Sequence, residues 1–480
     1  MVLPPVDHDC SLKDFVTQLA DRIAKLEHEN AQLKKSLYGA RSERSKMPRV
    51  QTGEPATPEK AKATRRARAD AKAETPTLRV EHKVPDALRR CTACGRTDLR
   101  PMGPGKSSFV WEFVPAKFVR HQHVQEVLRC PCGECIITAP GAPKVVEKGQ
   151  YGASFLSHLA VAKCADHLPI YRLEKEFARN GAPIARSTMN ELLHRASALL
   201  APVWTRLLDV IRTRDIVLAD ETRLRILKDA TGKPKTGFVW TFGARDAKGG
   251  FDVAYQFADS RSGSTPKALL EGTKGVLLVD GYSGYNDIEK ISSRRRAACF
   301  AHVRRYFFDS LKTAPVAQEA LDLITELYRV EHDAKQKQLS RAAHLALRKE
   351  RAGPIRERLK EWLDAQRERH PPKSPLGIAI RYTLGQWDEL GVFLRDSRVP
   401  LDNNASERSL RRIALGRKNY LFVGDVASGK SLVGLYSLVA TCESRAINPF
   451  DYLANVLARV QDHPANAIDE LLPGAWAAAN

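Results

Sequence analysis

The chain has 480 residues and a formal net charge of +21, from 77 lysines and arginines against 56 aspartates and glutamates. A chain of this length needs two or more folded units, and its excess of positive charge predicts a polyanionic partner. The sequence has no run of about 18 apolar residues and no secretory signal, which favours nucleic acid over a membrane and predicts a cytoplasmic, nucleoid-associated protein.

Residues 1–39 contain a heptad repeat of apolar residues. Leucine fills one seam position throughout, while the other holds β-branched residues, a leucine and a single asparagine. This pattern is typical of a parallel two-stranded coiled coil, in which the asparagine sets the register. We expect a leucine zipper that joins copies of the chain; the alternative is one amphipathic helix packed on its own protein. The seam residues are Leu12, Val16, Leu19, Ile23, Leu26, Asn30, Leu33 and Leu37.

Residues 40–85 are basic and rich in alanine, proline and threonine, as in the stretch KAKATRRARA at 60–69. A segment of this composition cannot bury a core, so it predicts a disordered linker. The composition suits a solvated tether and a DNA-binding arm equally well.

Residues 86–145 hold five of the nine cysteines of the chain, in two groups. Closely spaced thiolates are the usual ligands of a tetrahedral structural zinc ion, and so few cysteines in a long chain indicate a reducing compartment. One cysteine of the second group is spare, and His121 or His123 could substitute, so the spacing leaves the ligand set open. The alternative is a reduced cysteine-rich loop without metal. The candidate ligands are Cys91, Cys94, Cys130, Cys132 and Cys135.

Residues 150–200 are predicted to be helical and to include a helix-turn-helix. The first helix should stop at Asn180-Gly181, and Ser187 or Thr188 should cap the second. Arg186, Asn190 and Arg195 on the second helix are then candidates for contacts with DNA. Two packed helices joined by a glycine-containing turn are the alternative interpretation.

Residues 210–302 change to a strand-rich pattern, with apolar runs at 216–219, 237–242, 251–257 and 275–279. Three strands separated by turn signals, followed by a fourth after a helical spacer, suit a ribonuclease-H-like sheet. Residues 303–395 are charged and helical and predict an insertion that splits this core. The core resumes at 396–445, and 446–480 form a helical tail. The expected fold is multidomain α+β.

Three acidic residues are candidates for a magnesium site. Asp220 and Asp280 each end an aliphatic run, and Glu407 lies near the start of a predicted helix. Acids delivered from two strands and a helix could hold a pair of Mg²⁺ or Mn²⁺ ions for phosphoryl transfer on DNA. Aspartate is also a common turn former, and Asn404 with Glu407 matches a capping box, so each acid has a structural alternative. Nearby cations suited to phosphate are Arg408, Arg411, Arg412, Arg417 and Lys418.

The order of motifs along the chain resembles the insertion sequence 66 family of bacterial transposases. The motifs are the zipper, the cysteine cluster, HLPIYR at 167–172, VDGYSGY at 279–285, CFAHVRRYF at 299–307, DNNASER at 402–408 and NPFDYL at 448–453.

This resemblance covers nearly the whole chain. It implies a DDE transposase that binds terminal inverted repeats and catalyses metal-dependent 3′-end cleavage and strand transfer. It assigns the catalytic triad to Asp220, Asp280 and Glu407, and a supporting role to Cys299 and His302. It also raises the prospect of accessory proteins from the same element.

Two other functions are compatible with parts of the sequence. A zipper, a zinc module and a helix-turn-helix would suffice for a DNA-binding regulator or a catalytically inactive transposase derivative. Residues 424–431, GDVASGKS, match the P-loop pattern and predict a nucleotide site with Lys430 on the phosphates, as in an ATPase. Only about 50 residues follow the match, and none of them reads as a strand that ends in a Walker-B-like aspartate, which favours a glycine-rich turn there instead.

Overall fold

The computed structural model describes residues 118–129, 136–140, 144–146, 149–228 and 231–479. The predicted coiled coil of residues 1–39, the linker of residues 40–85 and the five candidate zinc cysteines lie outside the described residues. The three candidate catalytic acids lie within them.

A mixed β-sheet forms the centre of the described region. The strands are β1 (Val127–Arg129), β2 (Ile136–Thr138), β3 (Ile216–Ile226), β4 (Lys235–Arg245), β5 (Phe251–Ala258), β6 (Lys274–Val279), β7 (Ser293–Ala298) and β8 (Phe422–Val423). The central sheet has the order β5-β4-β3-β6-β7: β3, β4 and β5 are antiparallel neighbours, and β6 and β7 continue from β3 as parallel strands. Short β8 pairs with the end of β3, and β1 and β2 pair separately.

The strand that carries Asp220 is longer than its aliphatic run predicts. The prediction that Asp220 ends a strand is wrong, because the antiparallel pairing of β3 with β4 continues to the pair Ile226–Lys235. Asp280 does directly follow β6, as predicted. Asp220 therefore lies inside a strand, next to the point where the parallel neighbour ends.

Helices cover the sheet and also make up most of the chain between β7 and β8. They are α1 (Ala153–Cys164), α2 (Ile170–Arg179), α3 (Arg186–Leu199), α4 (Ala201–Arg212), α5 (Ser264–Leu270), α6 (Ile288–Ile291), α7 (Phe300–Ser310), α8 (Ala317–Gln336), α9 (Arg341–Leu347), α10 (Gly353–Arg367), α11 (Pro375–Leu384), α12 (Asn404–Tyr420), α13 (Val426–Ser444), α14 (Pro449–Arg459) and α15 (Pro473–Ala479). Short 3₁₀ turns lie at Ser283–Tyr285, Glu389–Leu394 and Ala465–Leu471, and a π-turn at Arg348–Ala352. Among the helices so described, none has the length and apolar character needed to cross a membrane.

Alternate residues of β3 belong to two different hydrophobic cores. Val217 and Ala219 pack with helices α1–α4 and α12–α14, whereas Leu218 packs with the helices between Phe300 and Leu394. Successive side chains of a strand point to opposite faces, so the sheet separates the two cores. Leu278 of β6 shares the second core with Leu218. The helices of residues 303–395 therefore cover the face of the sheet toward which Leu218 and Leu278 point.

The predicted helix-turn-helix segment forms the helices α2 and α3. Asn180 ends α2 and Gly181 adopts a φ of +81°, which a residue without Cβ accommodates without strain. The predicted cap at Ser187 or Thr188 is wrong, because α3 begins at Arg186 and has no side-chain cap. Glu174 of α2 accepts the backbone N–H of Arg186 at 3.2 Å instead, so the preceding helix satisfies the start of α3.

A buried arginine connects the strands that lead to the two aspartates. Arg294 of β7 is 1% exposed and donates to the Thr273 hydroxyl at 2.7 Å and to the backbone carbonyls of Val276 and Arg214 at 3.2 and 2.9 Å. It also donates to the carbonyl of Arg212. Burial is the main cause that lowers the pKa of Arg294 to about 10. This guanidinium thus connects the residues just before β3 with the first residues of β6.

Replacing this guanidinium should destabilise the fold. Arg294→Met leaves several buried acceptors without a donor, so we expect the free energy of unfolding to fall by roughly 2–4 kcal/mol. Urea unfolding of the full chain measures this loss. Arg295→Met is the matched control, because the Arg295 side chain is exposed and its loss should change stability by less than about 0.5 kcal/mol. Equal losses for the two variants would contradict the role of Arg294.

Candidate active site

The sheet brings Asp220 and Asp280 to the same level on adjacent strands. Leu218 of β3 and Leu278 of β6 are register partners, and each aspartate lies two residues further along its own chain segment. Each aspartate uses Oδ1 to accept a backbone N–H, from Glu221 at 2.8 Å and from Tyr282 at 3.0 Å. The turn-forming interpretation is therefore correct for Asp280, which bonds the second residue after it, and wrong for Asp220, which lies inside β3. In both carboxylates Oδ1 makes the backbone bond, which leaves Oδ2 for another ligand.

The third acid reaches the sheet because of the two residues at the start of α12. Asn403 is fully buried; its Nδ2 donates to the carbonyl of Ala219 at 2.7 Å, and its backbone N–H donates to Cys299 Sγ at 3.2 Å. Asp402 accepts the Asn404 N–H at 3.1 Å and the Tyr328 hydroxyl at 3.0 Å. Asn403 thus fastens the beginning of the helix to the residue that precedes Asp220.

The capping-box interpretation of Glu407 is wrong. The N-cap residue of α12 is Asn403, whose Oδ1 accepts no capping bond while its Nδ2 donates to the carbonyl of Ala219. The Glu407 carboxylate instead lies 3.6 Å from His302 Nδ1 and 3.5 Å from Arg305 Nη2. The Glu407 side chain therefore points toward α7. A glutamate in a capping box would instead point back to the start of its own helix.

Burial and neighbouring negative charge disfavour the ionised form of Asp220. Burial is the main cause that raises its pKa to about 7, with smaller contributions from the charges of Glu221, Asp280 and Glu407, against the bond from the Glu221 N–H. These Coulombic contributions require the acids to be close to one another. Such a cluster is unfavourable in the absence of a cation.

Polar atoms of this site are buried without a hydrogen-bond partner. Among the described residues these include Asn403 Oδ1, and also Glu407 Oε1 and His302 Nδ1, which lie 3.6 Å apart. Buried polar atoms are normally satisfied, and acids with perturbed pKa values cluster at functional sites, so this group of side chains is a candidate cation site. The residues fit a hard cation with oxygen ligands, such as Mg²⁺.

Cys299, His302 and Glu407 also lie close enough to suggest a metal site of their own, with ligand atoms within 4.8 Å of one another. Burial raises the pKa of the Cys299 thiol to about 12, which disfavours the thiolate that a soft metal requires. Its sulfur already accepts the Asn403 N–H. We therefore assign Cys299 to holding Asn403, and His302 to the surroundings of Glu407.

A hydrogen-bond network that was not predicted from the sequence supports Asp280. Glu221, whose side chain is 2% exposed, accepts Arg261 Nε at 2.9 Å and the Tyr285 hydroxyl at 2.9 Å. Arg261 also lies 3.9 Å from the centre of the Tyr282 ring. Tyr282 and Tyr285 both belong to the VDGYSGY motif, which was the available signal. The network anchors the loop after Asp280 to the residue after Asp220.

Some of the candidate DNA-binding cations are exposed at the surface, and others bond to groups of the protein itself. Arg408, Arg411 and Lys418 are exposed on α12. Arg417 instead donates to the Thr222 hydroxyl at 2.8 Å and Arg412 pairs with Glu443, so both fasten α12 within the protein. On α3, Asn190 is exposed, Arg186 pairs with Glu174 and Arg195 with Glu191.

The P-loop match at 424–431 does not form a phosphate-binding loop. Helix α13 starts at Val426, so most of the motif is helical, and Asp425 caps it by accepting the Ser428 N–H at 2.7 Å. Gly429 is buried, and a Cβ there would approach the Phe257 ring to 2.6 Å. The predicted glycine-rich turn is likewise replaced by the first turns of a helix.

The chain matches three family models that describe one kind of protein. The model described as Transposase IS66 family covers residues 148–431, and the IS66 C-terminal element covers 437–473. The zinc-finger binding domain of transposase IS66 covers residues 89–133. The last match supports structural zinc in the predicted module; it spans Cys91, Cys94, Cys130 and Cys132 and ends before Cys135, and the ligand set stays a prediction.

Three proteins of Sinorhizobium fredii (strain NBRC 101917 / NGR234), each described as uncharacterized, are similar to this chain. Protein y4jD is 31% identical, with 97% of both chains covered. Protein y4hP is 31% identical over 83% of this chain and 76% of its own length. Protein y4qI is 33% identical over 70% of this chain and 65% of its own length.

The raised pKa of Asp220 predicts a pH-dependent effect of Asp220→Asn on stability without metal. The folded chain holds this proton more tightly than the unfolded chain, where the pKa is near 3.8, so the stability from neutral Asp220 is complete below pH 3.8 and lost as pH rises through about 7. The amide of the variant would stay neutral at any pH. We expect the variant to melt roughly 2–4 °C above wild type at pH 8, and the difference to vanish near pH 4.

Thermal melts with and without Mg²⁺ measure both parts of this effect. Mg²⁺ should raise the Tm of wild type at pH 8 and leave that of the variant nearly unchanged, because binding to the folded state stabilises it. Asp364→Asn, at an exposed aspartate of α10, is the control. A variant that is no more stable than wild type at pH 8 would contradict the crowded-acid interpretation.

Lys430→Ala tests the remaining nucleotide-binding prediction. Because Lys430 lies in a capped helix, its loss should change DNA cleavage by less than about 3-fold, well below the cost of removing a catalytic group. Equilibrium dialysis with ATP and Mg²⁺ should detect no binding to wild type. Saturable ATP binding that Lys430→Ala abolishes would restore the P-loop interpretation.

Proposed function

The chain belongs to the IS66 family of transposases, as its order of motifs predicted, and on that premise we propose that it is an active DDE transposase. It binds the terminal inverted repeats of an insertion element, cleaves DNA at the 3′ ends and joins those ends to target DNA. The observation that carries this proposal is that Asp220 and Asp280 lie at the same level on adjacent strands, and that the charges of Asp280 and Glu407 both contribute to the raised pKa of Asp220.

The sheet order supports a ribonuclease-H-like core. β3, β4 and β5 form an antiparallel meander, after which the chain crosses through α5 to β6 and then to β7, both parallel to β3. Asp220 lies on the central strand β3, and Asp280 directly follows its parallel neighbour. Glu407 comes from a helix that follows the helical segment of residues 303–395, as the split-core prediction requires.

Asp220, Asp280 and Glu407 would hold two Mg²⁺ ions, which would activate the attacking water or 3′-hydroxyl and stabilise the departing oxygen. The protein contributes orientation. Asn403 holds the helix of Glu407 against β3, and the Glu221–Arg261–Tyr285 network holds the loop after Asp280. Arg305, which is 58% exposed, lies 3.5 Å from Glu407 Oε2 on the solvent side.

Exposed cations on α12 are suited to DNA phosphate. Arg411 lies one helical turn after Glu407 and therefore shares its side of α12, and exposed Arg408 follows Glu407 directly. Phosphate contacts position a protein on DNA without reading its sequence. Other parts of the chain must recognise the sequence of the inverted repeats. Our candidates are the region of the zinc-finger match and the helices α2 and α3. The N-terminal zipper would bring two copies to the two ends.

Asp220→Asn and Glu407→Gln should each lower strand nicking and strand transfer by more than about 100-fold, because even partners one layer behind a metal commonly cost 10–100-fold. Affinity for inverted-repeat DNA should remain within about 3-fold of wild type, since phosphate contacts supply most of the binding free energy. Cleavage of an end-labelled repeat in Mg²⁺ or Mn²⁺ measures the first quantity, and mobility shift at fixed salt measures the second.

Asp364→Asn and Glu357→Gln are the matched controls, since both acids are exposed on α10. They should retain wild-type cleavage. Full activity of Asp220→Asn would refute the triad. Repeat binding by wild type without any cleavage in either metal would favour the regulator or the inactive derivative.

A further inference from the structure

Tyr306 forms an exposed aromatic surface beside the candidate active site. It lies on α7, is 38% exposed and stacks on Tyr382 of α11, with ring centres 4.4 Å apart and planes inclined by 37°. Single exposed apolar residues are common and carry no meaning alone. A tyrosine that is supported by a second ring and still open to solvent is a different feature, because one face is already prepared for stacking.

Tyr382, the less exposed ring of this pair, is fixed to the loop that carries Asp280. The Tyr382 hydroxyl accepts the backbone N–H of Gly281 at 3.2 Å. The contact is so close that a Cβ on Gly281 would lie 2.7 Å from the Tyr382 ring. Tyr382 therefore cannot shift without displacing the residue next to Asp280.

Tyr306, the more exposed ring, is linked to Glu407 through other residues of α7. Arg305, the residue before Tyr306, lies 3.5 Å from Glu407 Oε2, and His302, one turn earlier, lies 3.6 Å from Oε1. His302 and Tyr306 are four residues apart and therefore share a helix face. The two tyrosines are thus held between the acid on α12 and the aspartate after β6.

The surroundings favour a nucleic acid as the occupant. Arg305 is 58% exposed next to Tyr306, and the whole chain carries a charge of +21. Stacking on an aromatic ring beside an arginine is the common way to hold an unpaired base, because every base has a π-face and every nucleotide a phosphate.

We propose that Tyr306, supported by Tyr382, is a stacking platform for one unpaired nucleobase at the DNA end next to the cleaved phosphate, with Arg305 contacting the adjoining phosphate. This inference rests on the proposed function, because it requires a DNA end at the acidic site. The platform would hold the strand in place after the end has separated from its complement. It therefore predicts a preference for ends with an unpaired base.

The test uses binding, in the full-length Asp220→Asn background so that DNA stays intact. The probe is an inverted-repeat duplex with one unpaired 2-aminopurine at its terminus, compared with the same duplex with a blunt end. Binding should quench 2-aminopurine emission in the Tyr306 parent and in Tyr306→Phe, which keeps the ring, but not in Tyr306→Ala. The preference for the unpaired end over the blunt end should fall by about 5- to 100-fold in Tyr306→Ala alone.

Phe422→Ala is the matched control, because Phe422 is an aromatic residue that is 44% exposed and pairs with the end of β3 at Arg225. It should keep both quenching and preference. Equal quenching in Tyr306→Ala and its parent overturns the platform, as does equal loss in Tyr306→Phe and Tyr306→Ala. If wild type nevertheless cleaves the repeat, the proposed function stands without the platform; if no variant binds the repeat, both fall.

Discussion

The buried amide of Asn403 is the contact on which the candidate site depends. Its side chain donates to the carbonyl of Ala219 in β3, and its backbone N–H donates to Cys299 at the start of α7. One residue thereby joins the strand of Asp220, the helix of His302 and the helix of Glu407. Because about a hundred residues separate Cys299 from Asn403, the helical segment between them must fold back for the site to form. A contact buried among three elements also leaves little freedom for the carboxylates it positions.

The same compactness gives the site an electrostatic cost in the absence of metal. Burial raises the pKa of Asp220 to about 7, and Glu407 Oε1 is buried without a hydrogen bond, 3.6 Å from His302 Nδ1. Proteins commonly accept such local destabilisation at functional sites when the surrounding structure holds the groups in place. Here Arg294 connects the starts of β3 and β6, and the Glu221–Arg261–Tyr285 network holds the loop after Asp280. The surrounding packing thus keeps together acids that would otherwise repel one another.

Sequence patterns were most reliable where a local rule decides the structure. The end of α2 at Asn180-Gly181, the position of Asp280 after an aliphatic strand and the helical character of residues 303–395 follow from turn chemistry and periodicity. They were misleading where a distant partner competes. The β4 ladder carries β3 past Asp220, and the Asn403 side chain bonds the Ala219 carbonyl and makes no helix cap. Residues 426–431 of the P-loop match belong to a helix that packs against Phe257.

The sequence by itself determined the family, since the order of several motifs over nearly 480 residues is specific even when each motif is weak. It also determined which acids, cations and cysteines were worth considering. Only the tertiary structure decided what each one does. Arg408 and Arg411 are displayed at the surface while Arg412 and Arg417 hold the helix in place, and Tyr306 lies beside the acids through its stacking on Tyr382. Such roles depend on which chemical groups meet across long sequence separations, and local spacing carries no information about those encounters.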